Sequence, residues 1–285
     1  MTNGKTAAVV LAAGMGTRMK SAIPKVAHPI AGRPMVAHVL AAAAPLAPDP
    51  LVVVIGPDMD SLAALVAPHP VRVQPLRRGT ADAVKAARAD LAALESGTVF
   101  ILYGDTPFIR TETLRSMAAQ REAGAAVVVL GFRPADPKRY GRLVLDAAGR
   151  LTAIVEANDA TDEQLKIDLC NSGVMAVDAA HLLRLLDRVG NANAKGEYYL
   201  TDIVALARAG GLSCAVVEAP EEELLGVDDR AALARAEALW QGRRREAAMA
   251  AGATLLDPAT VWFSHDTDLA ADVTVGPNVV FGPGV

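Results

Sequence analysis

This sequence lacks the features that mark several functional classes. Its formal net charge is only −4 at pH 7 over 285 residues. Nothing in that charge balance indicates a nucleic-acid partner or an anionic membrane surface. No apolar run is long enough to span a bilayer, so we expect no membrane partner either.

Cysteine is also scarce. The two cysteines, Cys170 and Cys214, form no cluster with metal-ligand spacing. Each has an apolar neighbour, Leu169 or Ala215, and we predict a thiol buried in the core. Because free thiols persist most simply in a reducing compartment, we expect a cytoplasmic protein.

Two common nucleotide-binding motifs are missing, although the first predicted strand leads into a glycine-rich turn. A Walker loop has glycine directly before Lys-Ser, but Met19 precedes Lys20-Ser21. A dinucleotide fingerprint has a third glycine three residues after the second. Gly14 and Gly16 fit the first two places, but Met19 occupies the third. On its glycines alone, the turn could equally be a plain strand-to-helix connection.

The sequence does contain a buried-strand pattern at 6–10, followed by Leu-Ala-Ala-Gly-Met-Gly-Thr-Arg-Met and then Pro24-Lys25. Glycine lets backbone N–H groups approach an anion because no Cβ is in the way. Arg18 and Lys25 add two positive charges beside those N–H groups. This combination predicts a site for a nucleoside triphosphate.

Apolar runs of strand length alternate with helical patterns through most of the chain. We expect strands at 52–55, 71–73, 99–102 and 125–132, helices at 35–46, 80–94 and 112–123, and a hairpin at 143–151. Such alternation predicts an α/β fold with a mainly parallel sheet covered on both faces. Doubly wound sheets bind ligands beyond the carboxyl ends of their strands, where both Gly14 and Asp105 are expected.

The pattern changes towards the end of the chain. A long helix is predicted at 229–251, and its run Arg243-Arg244-Arg245 is typical of a solvated helix face. After Gly252, valine recurs every six residues at 273, 279 and 285, in step with neighbouring positions. A hexapeptide repeat indicates a β-helix, in which about three or more stacked coils are needed for stability. We therefore expect the chain to be a piece of a longer protein.

The motifs together resemble the sugar-phosphate nucleotidyltransferases, and within them the bifunctional N-acetylglucosamine-1-phosphate uridyltransferase/glucosamine-1-phosphate acetyltransferase family. The string at 11–19 carries the resemblance, with Gly79-Thr80, Tyr103-Gly104-Asp105, Tyr140-Gly141-Arg142, Glu156, Asn171-Ser172-Gly173 and the run at 197–202. The resemblance implies a three-layer Rossmann-like nucleotide-diphospho-sugar transferase domain at 1–228. It further implies a linker helix at 229–251 and the truncated start of a left-handed β-helix at 252–285. Full-length members are implied to be homotrimers; whether this chain trimerises is left open.

The resemblance implies uridylyl transfer from UTP to N-acetylglucosamine 1-phosphate, giving UDP-N-acetylglucosamine and pyrophosphate for the bacterial cell envelope. The family's acetyltransferase site is expected to be absent from this chain. One alternative is another sugar-1-phosphate nucleotidyltransferase, using glucose 1-phosphate with UTP or dTTP. A non-catalytic nucleotide-sugar sensor and an acyltransferase are alternatives from other classes. The attacking phosphate monoester is already ionised at neutral pH, so the lack of a catalytic histidine arrangement fits phosphoryl chemistry.

By the same resemblance the catalytic residues are Arg18, Lys25 and Asp105. Asp105 follows an apolar strand, and Mg²⁺ prefers one or two carboxylates with phosphate oxygens and water. The family places a second metal ligand, usually Asn, where this chain has Asp228. A turn or helix cap is the alternative role of Asp105, and either Asp228 or Asp229 could cap the next helix.

Substrate-binding residues are expected in two groups. The nucleotide group is Leu11, Ala12, Ala13, Gly14, Gln74, Gly79, Thr80 and Tyr103. The Gln74 amide offers a donor and an acceptor that match a uracil edge, although a solvated surface amide is its alternative. The sugar group is Gly141, Glu156, Asn171, Tyr199 and Thr201, with strand-end caps and tyrosine packing as alternatives.

Overall fold

The structure is a computed structural model that describes residues 5–137, 140–193 and 195–285. Within these residues the strands are β1 (Thr6–Leu11), β2 (Pro29–Ile30), β3 (Arg33–Pro34), β4 (Leu51–Ile55), β5 (Val71–Val73), β6 (Thr98–Tyr103), β7 (Val127–Phe132), β8 (Arg142–Leu145), β9 (Leu151–Val155), β10 (Cys170–Asp178), β11 (Cys214–Glu218), β12 (Thr254–Leu255) and β13 (Thr274–Val275). The α-helices are α1 (Met35–Ala43), α2 (Asp60–Leu65), α3 (Thr80–Ala86), α4 (Arg88–Leu91), α5 (Thr111–Glu122), α6 (Asp162–Leu165), α7 (Ala179–Arg188), α8 (Asp202–Ala209) and α9 (Arg230–Ala250).

Nine of the described strands form one mixed sheet, whose main order is β11-β7-β10-β6-β1-β4-β5. Strand β1 lies between β4 and β6 and runs parallel to both, with Leu11 opposite Val54 and Tyr103. The pairs β4–β5 and β7–β11 are parallel as well, so the predicted mainly parallel α/β sheet is confirmed. Because β1 and β6 are parallel, Gly14 and Asp105 follow strand ends at the same edge.

The core explains why the strands have near-continuous apolar sequences. Successive side chains of a strand point to opposite faces of the sheet. In β1, Val9 and Leu11 pack in one apolar cluster with residues of α3, α7 and α8. Ala8 and Val10 pack in a second cluster with residues of α1, α2 and α5. Helices therefore cover both faces, and the strand ends are where a ligand can approach.

Some elements differ from the prediction. Strand β10 runs antiparallel between β6 and β7, and β8 with β9 forms the predicted antiparallel hairpin. The helix expected at 80–94 is broken at Ala87, whose φ of −88° and ψ of 8° are not helical. The helix expected at 35–46 ends as a 3-10 turn at Ala44–Leu46. Pro45 lies in that turn and has no N–H to continue α-helical hydrogen bonding.

The prediction of a solvated face at Arg243-Arg244-Arg245 is wrong, because all three guanidinium groups lie over aromatic rings. The Cζ atom of Arg243 lies 5.4 Å from the ring centre of Phe108. The Cζ atoms of Arg244 and Arg245 lie 5.9 and 5.6 Å from the ring centres of Phe263 and Trp262 respectively. A planar guanidinium favours such contacts, and its long apolar stem can be buried with it. These arginines therefore pack α9 against the loop after β6, which holds Phe108, and against the segment that follows α9.

The segment after α9 has a small core of its own. Strand β12 pairs in parallel with β13, and Trp262 forms a parallel bridge with Val280. The rings of Phe263 and Phe281 lie 5.4 Å apart between their centres. Each of these contacts joins residues about eighteen to twenty positions apart, so the chain here returns over itself at a regular interval.

The cysteine prediction is confirmed, since Cys170 and Cys214 are both buried and unpaired. Burial raises the pKa of the Cys214 thiol to about 11. Among the residues that the structure describes, no helix combines the length and the apolar character needed to cross a membrane.

Candidate active site

The loop after β1 is shaped by two glycines with different surroundings. Gly16 has a left-handed φ of 60°, which favours glycine. A Cβ on Gly16 would lie 2.5 Å from the Cβ of Lys25, so this close approach requires glycine. A Cβ on Gly14 would meet no described atom within 4 Å. Gly16 thus permits packing of the Lys25 turn, whereas Gly14 borders open space.

The end of β6 reaches the same turn. A Cβ on Gly104 would lie 3.1 Å from Cγ1 of Val26, so glycine lets β6 end directly against this segment. The backbone N–H of Val227 then donates to the carbonyl oxygen of Asp105 over 3.1 Å. That bond brings Asp228, the next residue, beside Asp105. Three segments far apart in sequence therefore meet at one edge of the sheet.

Four charged side chains converge at this edge. The Nζ of Lys25 contacts Oδ2 of Asp105 and also Oδ1 of Asp228, the latter at 2.9 Å. Arg18 donates to the other carboxylate oxygen of Asp228 over 2.9 Å. We call Arg18, Lys25, Asp105 and Asp228 the charged cluster. The structure therefore brings together all four residues predicted for catalysis and metal binding.

Contacts within the charged cluster stabilise the ionised forms of Lys25 and Asp228. Burial alone would lower the pKa of Lys25, but the charges and hydrogen bonds of Asp105 and Asp228 outweigh burial and raise it. Burial likewise would raise the pKa of Asp228, yet hydrogen bonds and charges from Lys25 and Arg18 lower it. At neutral pH Lys25 is therefore a cation and Asp228 an anion.

Asp228 and Asp229 have different roles, although the sequence allowed either of them to cap the next helix. Asp229 caps α9, because its carboxylate accepts a hydrogen bond from the backbone N–H of Ala232 over 2.7 Å. Asp228 makes its contacts with Lys25 and Arg18 instead. The helix cap thus leaves the carboxylate of Asp228 in the charged cluster.

Next to the charged cluster lies a cavity of about 360 Å³. The loops that follow β1, β5 and β6 form its walls. All eight residues predicted to bind the nucleotide line it, together with Lys25 and Asp105. The remaining lining residues are not among the predicted site residues. Met15 and Glu197 lie within the motif runs at 11–19 and 197–202, whereas no motif covers Val26, Arg77 and Ala83.

Gln74 is not a solvated surface amide, so that alternative is wrong. Its residue surface is only 4% exposed. Its Nε2 donates to the carbonyl oxygen of Gly79 and to Oδ2 of Asp82, both at 2.9 Å. Because those bonds use the amide donors, the group that a ligand can address is the amide oxygen. An acceptor there still suits the N–H of a uracil edge.

The residues predicted to bind the sugar form a second group that does not line this cavity. Thr201 donates to Oε1 of Glu156 over 3.4 Å, and a Cβ on Gly141 would lie 3.6 Å from Oε2 of the same carboxylate. The N–H of Asn171 donates to the carbonyl oxygen of Gly141 over 2.8 Å. Burial raises the pKa of Glu156 despite the bond from Thr201. Burial and nearby carboxylates also raise the pKa of Tyr199.

Tyr103 and Thr80 connect the two groups. The ring of Tyr103 lines the cavity and packs against Gly173, where a Cβ would lie 2.8 Å from the ring. The hydroxyl of Thr80 accepts a hydrogen bond from the N–H of Leu200 over 2.9 Å. Leu200 lies between Tyr199 and Thr201, so the cavity and the second group adjoin.

The carboxylates of Asp105 and Asp228 are the side chains at this edge that could hold a metal ion. Among the described residues no group of three or more His, Cys, Asp or Glu side chains lies close enough to hold a metal. The pair formed by Asp105 and Asp228 does contact one common ammonium group. Mg²⁺ takes one or two carboxylates and completes its shell with phosphate oxygens and water, so this pair fits it.

A β-sheet with helices on both faces, and a loop-walled cavity beside basic residues at its strand ends, define a nucleotide-binding α/β domain. The family model for the MobA-like NTP transferase domain matches residues 8–167. The chain therefore belongs to the MobA-like NTP transferase domain family.

Several proteins with the name bifunctional protein GlmU are similar to this chain over nearly its whole length. The chain is 59% identical to that of Paramagnetospirillum magneticum, over all of this chain and 64% of the relative. It is 64% identical to that of Rhodospirillum rubrum, over 95% of this chain and 60% of the relative. It is 55% identical to that of Azorhizobium caulinodans, over 97% of this chain and 62% of the relative. The chain thus spans a little under two thirds of these relatives.

Proposed function

We propose that this protein transfers the uridylyl group of UTP to N-acetylglucosamine 1-phosphate, releasing pyrophosphate and giving UDP-N-acetylglucosamine. The observation that carries the proposal is the charged cluster beside a cavity walled by the loops after β1, β5 and β6. Similarity to GlmU proteins over nearly the whole chain supports it. In this reaction a phosphate oxygen of the sugar phosphate attacks the α-phosphorus of UTP, and the bond to pyrophosphate breaks.

The main obstacle to this reaction is electrostatic. Two phosphate charges ~4 Å apart repel by about 4 kcal/mol at an effective dielectric constant near 20. Lys25 is held at the border between the cavity and the carboxylates, where its ammonium can bind the α-phosphate or the attacking phosphate. Arg18 is more exposed and can stabilise the departing pyrophosphate. Catalysis is then mostly charge stabilisation and alignment of ionised groups.

Asp105 and Asp228 are the residues that would hold Mg²⁺. Both already contact one cation, the Lys25 ammonium, which supports their reaching a shared ion. When bound, the metal would supply neutralisation of phosphate charge and a template for orienting both substrates. Asp228 offers a full negative charge in the place where the resembled family usually has Asn. Its lowered pKa keeps that charge at neutral pH.

Base and sugar selection follow from the two residue groups. The amide oxygen of Gln74 would accept the N–H of uracil, while the loop at 11–14 and Gly79-Thr80 offer backbone groups to the nucleotide. Glu156 would accept hydrogen bonds from sugar hydroxyls, and Asn171 would bond the N-acetyl group. Gly141, Tyr199 and Thr201 would complete the sugar wall.

The remaining organisation is proposed from the same resemblance. The transferase domain at 1–228 would have the three-layer nucleotide-diphospho-sugar transferase fold, with α9 in a linker at 229–251. The parallel pairing of Trp262 with Val280, eighteen residues or three hexapeptides apart, supports the start of a left-handed β-helix at 252–285. In the full-length protein this β-helix would join three chains and carry the acetyltransferase site. Buried unpaired cysteines are compatible with the cytoplasm.

A pyrophosphate-release assay with UTP, Mg²⁺ and N-acetylglucosamine 1-phosphate tests the proposal. We expect turnover at least about tenfold above that with glucose 1-phosphate or with dTTP. Activity that prefers glucose 1-phosphate or dTTP would favour the alternative nucleotidyltransferase, and no release with any pair would overturn the proposal. Acetyl transfer from acetyl-CoA to glucosamine 1-phosphate should be absent.

A further inference from the structure

Arg77 joins loops that belong to three different strands. It lies in the connection between β5 and α3, and its Nε donates to the carbonyl oxygen of Ala13 over 2.9 Å. Its Nη2 donates to the carbonyl oxygen of Pro57 over 3.3 Å. Ala13 follows β1 and Pro57 follows β4. One side chain therefore fixes the loop after β1 against the opposite wall of the cavity.

The backbone around Arg77 is adapted to this contact. A Cβ on Gly56 would lie 2.1 Å from Nη2 and 2.7 Å from Cζ of Arg77, so the guanidinium occupies the space that glycine leaves. Arg77 itself has a left-handed φ of 45°, which is costly for a residue with a side chain. Such a conformation persists where the surroundings fix it, and here the hydrogen bonds of the guanidinium do so.

The charge of Arg77 also differs from those in the charged cluster. Its hydrogen bonds go to carbonyl oxygens, and no carboxylate of the described residues lies within 4 Å of it. Arg18 and Lys25, in contrast, are both paired with aspartates. Arg77 lines the cavity with its charge uncancelled by an ion pair. Such a charge attracts an anion entering the cavity.

We propose that Arg77 is a positioning residue for the nucleotide. It sets the distance between the loop at Ala13 and the connection that carries Gln74 and Gly79, and its charge favours the triphosphate. This inference rests on the proposed function, because UTP is the anion that it assigns to the cavity. It adds a nucleotide-positioning residue outside the residues that the motifs identified.

The test measures UTP binding by isothermal titration calorimetry, with KM and kcat from pyrophosphate release. Arg77→Ala should weaken UTP binding about tenfold and raise KM for UTP by a similar factor, because one charge-assisted hydrogen bond that holds the loop is lost. The kcat should stay within about twofold, since Arg77 does not contact the reacting groups in this account. Arg88→Ala is the control. Arg88 is an exposed arginine that pairs with Asp187, and neither residue lines the cavity, so its loss should leave UTP affinity unchanged.

Gly56→Ala provides a second, independent perturbation. The added methyl group would displace the guanidinium without changing Arg77 itself. It should weaken UTP binding by about the same factor as Arg77→Ala. In the Arg77→Ala background the same substitution should have almost no further effect, because residues in contact are not additive.

The outcomes separate this inference from the proposed function. If the unmodified protein does not bind UTP, the proposed function fails first. If it binds UTP and Arg77→Ala binds equally well, the positioning role is wrong. Should Arg77→Ala fail to fold, unchanged UTP affinity in Gly56→Ala would overturn the role instead.

Discussion

Replacing Asp105 by Asn should abolish turnover while the fold survives. The substitution keeps the shape of the side chain and removes its charge. In the structure Asp105 contacts Lys25, whose side chain is 13% exposed, while that of Asp105 is 21% exposed. Lys25 retains Asp228 at 2.9 Å in the variant, so its ammonium is not left buried and unpaired. The destabilisation should therefore be about 1–2 kcal/mol, between a surface pair and a fully buried one.

The effect on catalysis should be much larger. Loss of a carboxylate that we propose to hold Mg²⁺ should remove stabilisation of phosphate charge worth several kcal/mol. About 4 kcal/mol corresponds to a rate loss of about a thousandfold. Urea unfolding would give the free energy of unfolding, and pyrophosphate release at saturating UTP would give kcat.

Asp178→Asn is the matched control for this variant. Asp178 pairs with Arg121 at 2.7 Å, and the two side chains are 23% and 15% exposed, close to the values for Asp105 and Lys25. It lies opposite Thr98, at the other end of β6 from Asp105. Asp178→Asn should lose at least as much stability, because Arg121 pairs with no second carboxylate among the described residues, and it should lose no activity. Near-normal turnover in Asp105→Asn, or equal losses of kcat in both variants, would refute the assignment of Asp105.

Three further predictions concern other parts of the site. Arg18→Ala should lower kcat by at least about tenfold. Its free energy of unfolding should change by less than about 1 kcal/mol, because the side chain is 56% exposed. Unfolding of this variant would mean that Arg18 has a structural role. Gly16→Ala should lower the free energy of unfolding in urea by about 1–3 kcal/mol, because the new Cβ meets Lys25 and φ is left-handed. It should also reduce activity. Unchanged stability would contradict the packing of Gly16 against Lys25. Glu156→Gln should raise the free energy of unfolding at pH 7, because burial raises the pKa of Glu156 above its ordinary value of 4.5 and ionisation then costs stability. That gain should disappear as the pH falls through the folded-state pKa to below 4.5, and a gain that persists at pH 4 would contradict it.

Local pattern was enough to predict much of the site. The apolar run of β1 requires burial on both faces, and the glycines after it have no place in a regular strand or helix. Asp105 follows a second apolar run, and parallel strands bring both ends to one edge. The approximate position of the cavity and the place of Asp105 beside it follow from these facts, whereas the family resemblance supplied the nucleotide-binding residues at 11–14 and Tyr103.

The rest depends on contacts between distant segments. The break at Ala87 has no glycine or proline to signal it, and β10 enters the sheet antiparallel without a distinct sequence pattern. Charge alone could not place the arginines, because a guanidinium can be solvated, paired or stacked. The run at 243–245 stacks on aromatic rings, whereas Arg77 reaches a carbonyl oxygen sixty-four residues away. Such outcomes are decided by tertiary packing.

A crystal structure with UTP and Mn²⁺, located by its anomalous scattering, tests the central claim most directly. We predict the phosphates beside the loop at 14–18, the base near Gln74, and a manganese ion contacting Asp105 and Asp228. Nucleotide bound away from the end of β1, with no ion on either aspartate, would contradict the account.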